Sequence, residues 1–492
     1  MKERASGILM HISSLPSPYG IGDFGQTAYD FVDFLKKAKQ KVWQILPIGI
    51  TGYGDSPYQS FSAYAGNPYF IDLDALVEQG FLRKDEILKA NLGNNSESIE
   101  YDKLYFHKMP LLKIAYDRAK GKIQGELDAF YKEQIDWLES FALYMSIKAH
   151  HNNGSWLEWP KEYDSINNTQ VKLFAKEYKD EIFFWVFTQY LVYGQWKALK
   201  SYANEHGISI VGDLPIYVSE DSADVWANPR LFKLDEKFNP ITVAGCPPDA
   251  FAATGQLWGN PIYDWEYMDT HGYKWWIERI EHSFELFDIV RIDHFRGFQD
   301  FWEIPYGDET AENGAWTKGP SKKLFDAIRN ALGQVNIIAE DLGFMTDEVT
   351  ELREYTNFPG MKVLQFAFDS REESDYLPHN YDKNCIAYTG THDNDTVNGW
   401  LEAVDGEDKE FAIKYCKLDE TEGYNWGLIR TAWASTAYLS VAQMQDFLGL
   451  GSEARMNIPS TLGGNWVWRV RPEMLSDELA EKIADITLLY RR

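Results

Sequence analysis

Short apolar runs recur along the chain, several followed by stretches with helical apolar spacing, and this alternation restricts the fold more than any other feature. Runs of this kind, bounded by Gly, Pro or polar residues, read as strands buried on both faces. The candidates are GILMHIS (7–13), VWQILPI (42–48), ISIVGDLPI (208–216), DIVRIDHF (288–295), NIIAEDLG (336–343), MKVLQFAF (361–368), CIAYTGTHD (385–393) and ARMNIPS (454–460). Strands alternating with helices imply a parallel sheet, and a set of this size implies an α/β fold of the (β/α)8 TIM-barrel type. A plain barrel needs roughly 250 residues. The chain has 492, so the expectation is a single barrel domain over 1–492 with nearly half of its length in insertions. One insertion, about 55–175, carries charged helical patterns such as LRKDEILKA; a second, about 217–275, is rich in Pro, Gly and Trp and reads as loop. Both follow strand ends, the rim where such barrels carry their sites.

Composition narrows the partners. The net charge of −27 is a poor match for nucleic acid or anionic lipid, which bind through clustered Lys and Arg. A neutral substrate is indifferent to that field. Cys246, Cys385 and Cys416 are scattered, with neither CxxC nor zinc spacing, as in a reducing compartment. The N-terminus lacks a signal-peptide pattern and no run of about 18 apolar residues occurs, so a cytoplasmic location is expected. Aromatic residues make up 15%, a usage that suits ligands with flat apolar faces and polar edges, such as sugars.

Acids gather at the ends of the candidate strands. In RIDHFRG, Arg291 and Asp293 are two apart and share a strand face. The guanidinium is expected to hold the carboxylate ionised, as a nucleophile requires, although a purely structural ion pair fits the spacing equally well. In IIAEDLG, Glu340 and Asp341 take opposite faces. A closed apolar pocket would raise Glu340 into the range of a general acid, while Asp341 suits a structural tether. GDLPIYV brings Asp213 to a third strand end and GTHDND brings Asp393 and Asp395 to a fourth. Together these acids suggest chemistry on a hydroxyl-rich substrate through an oxocarbenium-like transition state. GIGDFG (20–25) fits a dinucleotide fingerprint, but SSLPSPY separates it from the preceding strand and the next strand lacks the ribose-binding acid. It reads better as a turn before a helix starting near Gln26. Two aromatic loops, SPYQSFSAYAGNPY (56–69) and PPDAFAATGQLWGNPIYDW (247–265), offer sugar-stacking walls, with Tyr58 and Trp258 foremost; packing beneath long loops explains most single aromatics nearly as well.

These motifs, with SSLPSPYGIGDFG and NIPSTLGGNW, occur in an order in which the chain resembles the amylomaltases, the 4-α-glucanotransferases of glycoside hydrolase family 77 in the α-amylase superfamily. The resemblance covers essentially the whole chain. It implies a barrel with subdomains inserted around the cleft, no C-terminal β-sandwich, and a retaining double displacement on α-1,4-glucans without cofactor or metal. Matched motif by motif, it implies Asp293 as nucleophile and Glu340 as general acid/base, with Asp213 and Arg291 lining the reacting sugar. The superfamily's third acid directly follows a His at the end of the seventh strand, which selects Asp393 after His392. Asp395 then falls past the strand end as a loop-holding residue. Tyr58, His392, Trp258, Asp249, Phe251 and Asn465 are the implied substrate-binding residues. The lid segment PPDAFAATG departs from the pattern at Ala250, where many relatives carry an aromatic, which bears on how a long glucan curls there.

The implied partners are maltooligosaccharides, glycogen- or starch-type glucans and glucose, with no nucleic acid or membrane, handled by a monomer or weak oligomer. An α-amylase-type hydrolase is the alternative, since the same carboxylates serve both outcomes. About 30 residues follow NIPSTLGG, too few for the β-sandwich that commonly ends α-amylases, and this favours transfer. A non-catalytic binding module and a nicotinamide oxidoreductase fit the residues less well.

Overall fold

The computed structural model describes residues 3–492 apart from Tyr53, Asp249, Ala250, Phe251, Phe344 and Asp405. Eight parallel strands form a nearly closed barrel: β1 (Ala5–Leu9), β2 (Val42–Gln44), β3 (Ser209–Leu214), β4 (Ile289–Ile292), β5 (Ile337–Ala339), β6 (Gly360–Val363), β7 (Cys385–Tyr388) and β8 (Leu439–Gln443). Successive strands pair in parallel from β1 to β5 and from β6 to β8, and β8 returns to β1 with Ala5 opposite Leu439. The strands are nearly all buried residues, which is why they read as short apolar runs rather than alternating ones. They are also shorter than those runs. Leu46, Ile48 and Leu364 continue the apolar pattern past the ladder because insertions bury the loops at this rim.

One strand lies elsewhere than the sequence places it. Residues 454–460 form no strand; the eighth is Leu439–Gln443. That strand consists of Leu, Ser, Val, Ala and Gln, buried throughout, and passes directly into a helix at Met444, so neither alternation nor a turn residue marks it. ARMNIPS has the alternation of a strand but runs as irregular chain beside the loop after β7, where the Asn457 N–H donates to the His392 carbonyl at 3.1 Å.

The long β2–β3 connection carries helices from Leu73–Glu78 through Ile135–His150 to the 27-residue Lys179–Glu205, which leads into β3. Residues 217–275 are not loop alone. Thr242–Cys246 and Gln256–Pro261 join Asp300–Pro305 and Ala315–Lys318 in a four-stranded antiparallel sheet. Because this sheet draws on the connections on both sides of β4, it stands directly beside the β4 terminus. The GIGDFG segment is a packed turn: a Cβ at Gly22 would lie 1.9 Å from the Ile12 carbonyl, and the helix Gln26–Lys37 follows.

The barrel closes between β5 and β6 by unusual means. No ladder joins these strands; the Ala339 N–H donates to the Pro359 carbonyl at 3.0 Å, and Asp341 supplies the rest. Its Oδ1 accepts the Met361 N–H at 2.7 Å while Arg353 Nε stands 3.1 Å from its Oδ2. Gly360 leaves room for this carboxylate, since a Cβ there would meet Asp341 Oδ2 at 2.2 Å. Gly360→Ala should therefore pry the seam apart and lower stability by about 1–3 kcal/mol, as overpacking does. Denaturant unfolding checks this; a wild-type midpoint would show that Asp341 does not close the barrel.

Candidate active site

Arg291 organises the carboxyl-terminal rim. It lies opposite Asp213 in the β3–β4 register, and its Nη1 donates to both Asp213 oxygens at 2.7 Å. The same nitrogen stands 2.9 Å from Asp293 Oδ1, just beyond the end of β4. Asp213 also accepts the Tyr58 hydroxyl at 2.8 Å, and the Tyr58 ring stacks on His392 at 5.1 Å between centroids and 16° between planes. His392 Nε2 is 3.4 Å from Asp393 Oδ2. Residues from loops after β2 and β7 thus converge on the acids of β3 and β4.

Glu340 follows β5, and one peptide ties its carboxylate to the chain just after β4. Its Oε2 accepts the His294 N–H at 2.7 Å and its Oε1 accepts the Leu342 N–H at 2.8 Å. His294 reaches this geometry in the left-handed region, at φ 52°, a conformation uncommon for a residue with a side chain. Its ring meets Trp258 edge-on at 4.8 Å, and burial lowers its pKa to about 3, so it stands neutral in the wall. Trp258 lies on the antiparallel sheet, and Asn260 beside it accepts from Gln59 Nε2 at 3.2 Å, joining that sheet to the Tyr58 loop.

Burial raises Glu340 to about 7, with Arg291 opposing and Asp293 reinforcing. Burial likewise raises Asp293 to about 6; Arg291 works against that shift, and Asp213 and Asp393 add to it. Arg291 thus favours the ionised Asp293, as the sequence leads one to expect, but burial and the neighbouring acids outweigh it. One guanidinium faces several wholly or partly buried acids. Two groups this close titrate as a pair.

Residues 10–476 match the family model of glycoside hydrolase family 77, described as 4-alpha-glucanotransferase. The chain belongs to the 4-α-glucanotransferase family. A 4-alpha-glucanotransferase of Clostridium butyricum is 53% identical over 485 residues, covering 98% of this chain and 100% of that relative. The chloroplastic/amyloplastic 4-alpha-glucanotransferase of Solanum tuberosum is 43% identical over 501 residues, covering 99% and 86% respectively. Among solved structures, an amylomaltase from Streptococcus agalactiae in complex with acarbose superposes with a TM-score of 0.97 at 43% identity, over 100% of both chains.

In this glucanotransferase the two aspartates of GTHDND part company. The strand ends at Tyr388, so a shared strand face does not apply to them. Asp393 has 43% of its side chain exposed, and its Oδ1 accepts Asn457 Nδ2 at 2.7 Å. Asp395 ties its loop to the chain after β8, accepting the Ser452 hydroxyl at 2.6 Å and the Thr396 N–H at 2.7 Å. Asn465 is not an open donor: its amide donates to the Thr461 carbonyl and hydroxyl and accepts the Ile458 N–H, holding its own loop together. Asp249 and Phe251 lie outside the described residues. Two residues escaped the sequence reading. His294 was hidden as a spacer inside RIDHFRG, and Asn457 inside a segment mistaken for a strand. Among the described residues no helix is long and apolar enough to cross a membrane.

The raised Asp293 has a consequence for stability. An acid whose folded pKa exceeds its unfolded value stabilises the fold only while protonated; the penalty grows from about 4 and is complete above about 6. Asp293→Asn should therefore raise the unfolding midpoint relative to wild type more at pH 8 than at pH 4. With 30% of the side chain open to the cleft, screening limits the gain to roughly 1 kcal/mol, about 1–2 °C in a chain this long. Calorimetry at both pH values checks this, and an equal difference at both would contradict the shift.

Proposed function

We propose that this 4-α-glucanotransferase works by double displacement on α-1,4-glucans, with Asp293 and Glu340 as the reacting pair. The supporting observation is their placement at adjacent strand ends, with the peptide N–H next to Asp293 donating to Glu340 at 2.7 Å. Asp293 attacks C1 of the donor glucosyl unit as the C1–O4 bond breaks, and the departing oxygen takes the Glu340 proton. The 4-hydroxyl of an acceptor, glucose or another glucan, then attacks C1 of the ester. Its proton passes to Glu340, and the Asp293 carboxylate is released. Two inversions retain the α configuration. In this reading Asp213 and Arg291 line the reacting sugar, Asp393 with His392 holds hydroxyls of the distorted ring, and Tyr58 and Trp258 supply stacking walls. Asn465 acts by shaping the loop over the cleft. Water exclusion by those walls favours a sugar acceptor over hydrolysis.

Incubation with maltotriose separates transfer from hydrolysis. The expected result is free glucose with a ladder of longer oligosaccharides; glucose and maltose alone would establish a hydrolase.

The pair also predicts a pH profile. Attack needs Asp293 ionised, so kcat/KM falls as pH drops through about 6. Protonation of the leaving group needs the Glu340 acid, so it falls again as pH rises through about 7. The expected bell is narrow, and its limbs belong to the coupled pair. With an α-glucosyl fluoride, whose departure needs no proton, Glu340→Gln should keep the acid limb and lose the alkaline one. An alkaline limb that survives would remove Glu340 from the acid role.

A further inference from the structure

The loop after β7, which carries His392 and Asp393, leaves the barrel at Thr389 and ends where the helix Val397–Ala403 begins. Both of its ends meet one side chain. Asp446 Oδ2 accepts the Thr389 hydroxyl at 2.6 Å, and Asp446 Oδ1 accepts the Val397 N–H at 2.7 Å. We infer that Asp446 is a positioning residue for Asp393, one carboxylate pinching both ends of loop 389–397 and so fixing where the His392–Asp393 pair stands. The inference rests on the role proposed for Asp393.

Three observations carry it. Asp446 is 1% exposed, and no cation stands within ion-pair distance of it among the described residues. A buried acid without a cation is costly, and apolar residues would fill the same space without that cost. The neighbouring elements do not depend on it: the β7–β8 ladder is made by backbone, and the helix Val397–Ala403 has its own cap in Thr396, whose hydroxyl accepts the Gly399 N–H at 3.1 Å. Finally, Asp446 begins a continuous backing wall. Ser452 holds Asp395 at 2.6 Å, Arg455 Nη2 holds the Asp393 carbonyl at 2.6 Å, and Asn457 holds the Asp393 carboxylate at 2.7 Å. Asp446 is itself anchored from behind, its carbonyl accepting Asn425 Nδ2 at 2.7 Å.

The test compares Asp446→Leu with Asp446→Asn in wild-type and Asp393→Asn enzymes, at temperatures where each is folded. A leucine removes both acceptors and should lower kcat by roughly 10–100-fold, as small misplacements of reacting groups do, with little change in KM. An asparagine can still accept from Val397 and donate to the Thr389 oxygen, so it should stay close to wild type. If Asp446 acts through Asp393, Asp446→Leu should cost at most about threefold in the Asp393→Asn enzyme, because coupled residues are not additive. Should the leucine variant fail to fold, Thr389→Val cuts one leg of the pinch and should show a smaller kcat loss with the same non-additivity. A full additional loss in an already impaired Asp393→Asn enzyme overturns the positioning inference alone. Equal impairment by asparagine and leucine overturns it too. A fully active Asp393→Asn enzyme overturns the role of Asp393, and this inference with it.

Discussion

The site hangs on the guanidinium of Arg291. It is 3% exposed at the carboxyl-terminal rim, and a single nitrogen reaches both oxygens of Asp213 and one of Asp293. Two acids this close repel each other, the more so with Asp213 fully buried, and one planar cation that stays charged at any working pH lets them coexist. The consequences spread outward through contacts already measured. Asp213, fixed by Arg291, holds the Tyr58 hydroxyl; Tyr58 supports the His392 ring; His392 stands against Asp393. Removing the cation would leave buried carboxylates unpaired, the most damaging way to break such a cluster. Charge balance at one residue of β4 thus sets the geometry of loops that follow β2 and β7.

The site works against its own stability. Glu340 and Asp293 are both raised by burial, His294 occupies a left-handed backbone region, and Asp446 is an acid enclosed without a cation. Each feature has a compensating partner nearby. Glu340 receives two backbone N–H groups, and Asp446 receives one N–H and one hydroxyl. Asp341, next to Glu340, is likewise raised by burial, and its carboxylate completes the seam between β5 and β6. Adjacent acids just past one strand end therefore divide, one carboxylate held by the peptides of His294 and Leu342 and the other fastening β5 to β6.

The barrel and the rim placement of the candidate acids were legible because their signals are local. Buried parallel strands leave apolar runs, and Asp213, Arg291, Asp293 and Glu340 stand at or within two residues of the ends of such runs. Family resemblance then chose between the catalytic and structural readings that spacing alone left open, and chose Asp393 over Asp395. The eighth strand was missed because Leu439–Gln443 carries no period and no breaker, whereas 454–460 imitates an alternation it does not use. The sheet that supports Trp258 was missed because its strands come from two separate connections, and pairing between Thr242–Cys246 and Asp300–Pro305 leaves no mark in either segment.

By itself the sequence determined the fold class, the family and the placement of four residues at the rim, because short strand-ending motifs carry them. Tertiary structure alone decided the balance of charge around Asp293, because burial and the shared guanidinium depend on which strands become neighbours. It also decided that Asp395, Asn465 and Asp341 hydrogen-bond to neighbouring chain, that Asn457 meets the Asp393 carboxylate, and that Asp446 meets Thr389. Those partners lie 64 residues from Asp393 and 57 from Thr389 along the chain. Only the return of β8 beside β7 brings them together, and no local period can encode a contact made by closing a barrel.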